Sequence, residues 1–75
     1  MNKNRRKQLK EWIKRIEAIK EELESICAEE EESFDMMPEG LQSSVNGMNS
    51  EEAIDKMNDA MVCIEEAIET IEEIV

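Results

Sequence analysis

Residues 54–75, IDKMNDAMVCIEEAIETIEEIV, decide the fold. Ile54, Met57, Met61, Ile64, Ile68, Ile71 and Val75 recur at alternating steps of three and four, which is the seam of a heptad helix. Ala53, Ala60, Ala67 and Ile74 form a second column, each one place before a seam residue. A stripe this wide suits a helix in a bundle better than a bare two-stranded coil.

Working outward, the same alternation appears near the start of the chain: Leu9, Trp12, Ile16, Ile19, Leu23 and Ile26, widened by Ile13 and Cys27. It predicts a helix over about 5–33, with residues 1–8 frayed and Trp12 in the core. Folding the two helices antiparallel pairs Leu9 with Val75, Trp12 with Ile71, Ile16 with Ile68, Ile19 with Ile64, Leu23 with Met61 and Ile26 with Met57. Two seams that match through six layers define an αα-hairpin. Lys20 and Glu65 then face each other beside the seam. A seventh layer sets Glu30 against Ile54, so the core is expected to end there.

Residues 34–49 connect the helices. Pro38 bars helical backbone at Met37 and ends the first helix, and a short helix over 38–42 is expected with Pro38 in its first turn. Gly40, Ser43, Ser44, Asn46 and Gly47 are turn formers. The stretch also holds Phe34, Met36, Met37, Leu41, Val45 and Met48. That many apolar residues predict a partly packed loop. Ser50, followed by Glu51 and Glu52, reads as the N-cap of a second helix over 50–75, with Asn49 and Glu52 as a competing capping box.

Seventy-five residues make a single domain, 1–75, and a core this small rarely supplies more than about 3–5 kcal/mol. Ile13 and Cys27 overflow one flank of the hairpin, and the Ala column overflows the other. A homodimer forming a four-helix bundle is the economical cover. The fold class is therefore all-α: an antiparallel two-helix hairpin that dimerises.

The net charge of −11 is divided unevenly. Residues 1–20 carry eight bases and two acids, net +6; residues 21–75 carry Lys56 against eighteen acids, net −17. The hairpin sets the basic start beside Glu65, Glu66, Glu69, Glu72 and Glu73, while Glu29–Glu32, Asp35, Glu51, Glu52 and Asp55 form an unbalanced acidic pole.

Each candidate chemistry is weighed against a plainer role. Without His, and with two cysteines six residues out of register, neither a structural zinc site nor an intrachain disulfide is expected. The acidic pole lacks the calcium-loop pattern; it is a solvated face, or a phosphate mimic for a nucleic-acid-binding protein. Arg5, Arg6, Lys7 and Lys10 are candidates for phosphate contact, though no stacking aromatics are interleaved with them. No acid–base or nucleophile constellation is present, so no enzyme and no cofactor are expected. Two cysteines and no signal or spanning segment imply a reducing cytoplasm and no membrane.

The run Phe34-Asp35-Met36-Met37-Pro38-Glu39-Gly40-Leu41-Gln42-Ser43-Ser44, before an acidic Glu-Glu-Ala-Ile-Asp helix, resembles small uncharacterised proteins of Firmicute phages and prophages. Their loop reads aromatic-Asp-Asn-Met-Pro-Glu-Asn-Leu-Gln-Gly-Ser. Phe34, Asp35, Met37, Pro38, Glu39, Leu41, Gln42 and Ser44 match; Met36, Gly40 and Ser43 depart. The resemblance brings no activity. It implies a phage accessory protein acting on a bacterial host protein in the host cytoplasm. The expected contact surface is Glu30, Glu31, Glu32, Phe34, Asp35, Met37, Glu39, Leu41 and Gln42. The alternative is an oligomer that sequesters a nucleotide or nucleic acid on Arg5, Arg6, Lys7 and Lys10.

Overall fold

The computed structural model describes all 75 residues and is all-helical. Helix α1 spans Lys3–Asp35, α2 Glu39–Gln42 and α3 Val45–Glu72. The two long helices pack antiparallel into a rod 58 × 15 × 12 Å. Three cross-links fix their direction and height: Lys20 with Glu65, Cys27 with Asn58, and Glu30 with Ser50. The facing of Lys20 and Glu65 is as the heptads predict.

The first helix begins earlier than the charge-rich start implies. The Asn2 side chain accepts a hydrogen bond from the Arg5 N–H at 2.8 Å, satisfying one of the free donors of the first turn. Residues 3–8 are therefore helical rather than frayed.

On α3 the seam is the expected one: Ile54, Met57, Met61, Ile64, Ile68 and Ile71 all point inward and are buried or half-buried, as is Val75 just beyond the helix. On α1 the helix is rotated. Leu9, Ile16 and Leu23 face α3 as expected, but their partners in the seam are Ile13, Lys20, Cys27, Glu30 and Phe34. Ile13 and Cys27 are 8% and 3% exposed, among the most buried side chains of the protein. Trp12, Ile19 and Ile26, expected in the core, are 38%, 52% and 56% exposed. The rotation lets Phe34 reach the interface, brings Lys20 onto Glu65, and moves the apolar overflow from Ile13 and Cys27 to Trp12, Ile19 and Ile26.

The interface also continues past its expected end. Glu30 is half-buried, and the Ser50 hydroxyl donates to its Oε1 at 2.6 Å. Ser50 is thus a buried residue within α3 rather than its cap. The cap is Ser44, whose Oγ accepts from the Gly47 N–H at 3.3 Å. Helix α3 starts five residues before the predicted position, so Glu51 and Glu52 lie beyond its first turn.

Candidate functional site: the acidic loop end

The connection between the long helices is short because α2 and the first turns of α3 occupy most of it. Pro38, in extended backbone, precedes α2, and its carbonyl accepts from the Leu41 and Gln42 N–H groups. The Gln42 amide turns back and donates to the carbonyls of Phe34 at 3.1 Å and Met37 at 3.3 Å, tying α2 to the end of α1. The Ser44 hydroxyl donates to the Leu41 carbonyl while accepting from Gly47. Gly47 is buried against this turn: a Cβ there would lie 2.6 Å from the Leu41 carbonyl oxygen and closer to that of Gln42. The loop is therefore a hydrogen-bonded unit held against α3.

This frame sorts the expected contact residues. Glu31, Glu32, Asp35, Glu39 and Leu41 are exposed and gather at one end of the rod with Glu29, Glu51, Glu52 and Asp55. Glu30, Phe34, Met37 and Gln42 are half-buried, and Glu30 and Gln42 hold the end together. Met36, Val45 and Met48, which do not figure in the expected contact surface, are more exposed than Leu41. Their apolar character was legible, but their exposure depends on how the loop folds.

Electrostatically the rod has two ends and two flanks. Lys20 is the one base in an ion pair, 2.7 Å from Glu65 and 3.6 Å from Glu24. The hydrogen bond to Glu65 raises its pKa above the ordinary 10.5. The predicted neutralisation of the basic start by the end of α3 does not occur: Lys3, Arg5, Arg6, Lys7, Lys10, Lys14 and Arg15 have no carboxylate within ion-pair distance. Arg6, Lys7 and Lys10 border a shallow basic recess with Lys3.

Both thiols are free. Cys27 sits in the seam, its Sγ–H 3.6 Å from Glu31 Oε1 and 3.8 Å from Asn58 Oδ1. Burial, and then the nearby Glu31 carboxylate, push its pKa up. Cys63 is exposed on α3. No three side chains of the His, Cys, Asp and Glu types converge on a point that would hold a metal ion. No helix is long and apolar enough to cross a membrane.

No protein-family model, curated protein or solved structure matches the chain.

Proposed function

We propose that this chain is a non-enzymatic protein-binding module, a phage- or prophage-type accessory protein that binds and inhibits or redirects a bacterial host protein in the cytoplasm. The contact surface is the loop end. One observation carries the reading: Met36, Leu41, Val45 and Met48 are exposed on a hydrogen-bonded frame at the end of the rod that also carries the exposed Glu31, Glu32, Asp35, Glu39 and Glu51. Exposed apolar side chains at an end that also carries charge supply the two ingredients of a contact surface. Methionines add a polarizable, adaptable surface. A frame that is already folded spares the complex much of the ordering cost.

The test is capture of host proteins from lysate by the full chain, compared with two variants. Met36→Ser with Leu41→Ser removes exposed apolar surface, and Glu31→Gln with Glu32→Gln removes exposed charge. Both variants are expected to melt close to the parent. The first loses its partner; the second holds it weakly and with less dependence on salt. Capture that survives both variants overturns the reading.

The basic recess supports a second reading, sequestration of a nucleotide or nucleic acid by an oligomer. Arg6, Lys7 and Lys10 share one helix face and none is neutralised within the chain. That activity should vanish when Arg6, Lys7 and Lys10 become Gln, and should ignore the loop variants.

A further inference from the structure

The rotation of α1 leaves an apolar flank that nothing in the chain covers. Trp12, Ile19 and Ile26 are seven residues apart and so lie along one line of α1. The opposite flank is the charged one, where Lys20 sits among Glu17, Glu24, Glu65 and Glu72. Glu65 and Glu72 border the α3 seam on that side, which places the column Ala53, Ala60, Ala67 and Ile74 on the other side, with Trp12. At the open end Leu9, Trp12 and Ile71 line a common groove with Arg5 and Arg15. One side of the rod is therefore an apolar strip contributed by both helices.

The rod as a whole exposes more surface than a compact chain of its size. A compact protein of 8.7 kDa exposes about 4,700 Å², whereas this one exposes 5851 Å². The strip occupies the middle of the 58 Å rod, its α1 row about 21 Å long and its α3 row about 32 Å.

We propose that the occupant of this flank is a second copy of the chain, docked antiparallel about a two-fold axis that passes beside Ile19. The residue spacing is self-complementary about that point. Trp12 of one copy meets Ile26 of the other, and Ile19 meets Ile19. On α3, Ala60 meets Ala67 and Ala53 meets Ile74, small residues that let the helices approach closely. From the Lys20–Glu65 pair, the midpoint of the α3 column lies about 4 Å from the height of Ile19, so an axis midway between the two leaves facing residues of each row about 4 Å out of level.

Charge selects this orientation. The outer edge of the strip on α1 is Gln8, Arg15, Glu22 and Glu29. An antiparallel pair sets Arg15 of each copy beside Glu22 of the other and brings Arg5 to the level of Glu32. The basic start, unneutralised within its own chain, then lies along the acidic end of its mate. The parallel arrangement stacks Glu29–Glu32 and Glu51–Asp55 of one copy on the same residues of the other.

The surface is distinct from the exposed loop patch, so this proposal stands or falls separately from the loop reading. Sedimentation equilibrium of the full chain at micromolar concentrations should give a dimer. Ile19→Lys places two like charges near the axis and should leave a helical monomer throughout, because Ile19 is half-exposed within one hairpin and its loss does not unfold it; circular dichroism checks that. Arg15→Glu sets four carboxylates together and should weaken association about tenfold or more, on the scale of exposed ion pairs. Adding Glu22→Arg should restore it, which only antiparallel copies allow. A parent chain that stays monomeric, a dimer indifferent to Ile19→Lys, or a charge swap that fails to rescue each overturns the proposal. So does a flank that stays free of a second copy and is occupied only by a foreign protein.

Discussion

The two glycines make a paired test of the loop architecture. Gly47 lies in the first turns of α3, and a Cβ added there meets backbone: Leu41 O and Gln42 C at 2.6 Å, with Gln42 O nearer. Ordinary contact begins at 3.4 Å, so the shortfall is about 0.8 Å at these two atoms and larger at Gln42 O. Backbone carbonyls of α2 cannot swing aside as a side-chain tip would. The start of α3 has to move off α2, stretching the Gly47 N–H bond to Ser44 and loosening Gln42. Overpacking of this kind costs about 1–3 kcal/mol, against a gain of about 1 kcal/mol from replacing a helical glycine by alanine. The expected net loss is up to about 2 kcal/mol, which lowers the melting temperature by up to roughly 15 °C in a domain this size. Gly40 has nothing within 4 Å of the same position and a negative φ. Gly40→Ala should therefore stabilise by about 0.4–1 kcal/mol through the unfolded chain. Circular dichroism melts at one fixed protein concentration measure both, since association also moves the transition. If Gly47→Ala raises the melting temperature as Gly40→Ala does, α2 does not rest on α3 and the loop frame is wrong.

Three further outcomes are expected. Ile13→Ala should cost about 2–4 kcal/mol in urea unfolding, while Ile26→Ala, on the exposed row, should cost under about 1 kcal/mol at dilutions where copies are dissociated. Equal losses would restore Ile26 to the core. Lys20 has a folded pKa above its unfolded value, so its contribution is complete below the ordinary value of 10.5 and is lost as pH rises through the folded value. Lys20→Met should abolish that alkaline dependence, measured by unfolding against pH. Iodoacetamide should label Cys63 quickly and Cys27 slowly in the folded chain, with the two rates converging in denaturant; fast labelling of Cys27 would contradict its place in the seam.

Helix α3 was legible because one face is strictly apolar and the neighbouring column, Ala53, Ala60, Ala67 and Ile74, is mostly alanine and too small to compete with it. Helix α1 was ambiguous. Leu9, Ile16 and Leu23 fit two seams, one completed by Trp12, Ile19 and Ile26, the other by Ile13, Lys20, Cys27, Glu30 and Phe34. Hydrophobicity alone favours the first. The structure takes the second, which contains a lysine and a glutamate, because Lys20 finds Glu65 and Glu30 finds Ser50. The expected pairing of Lys20 with Glu65 was the available signal, since it needs both residues at the edge of the interface. The α3 start was misplaced for a related reason: Ser44 and Ser50 are both good caps, and only the packing of Gly47 on α2 tells them apart. At the loop end, composition named the acids and apolar residues. It did not reveal that Glu30 and Gln42 are spent on internal bonds, because the partners lie 20 and 8 residues away in sequence.

The elongated shape has a hydrodynamic consequence. The radius of gyration is 17.2 Å, against about 11 Å for a compact chain of this length. Such a rod drags like a heavier sphere, so its elution from a sizing column mimics an oligomer even when it is monomeric. Two rods laid side by side double the cross-section at nearly constant length, and the frictional ratio falls as mass doubles. Rods joined end to end would raise it. Sedimentation velocity therefore reads the geometry of association as well as its stoichiometry.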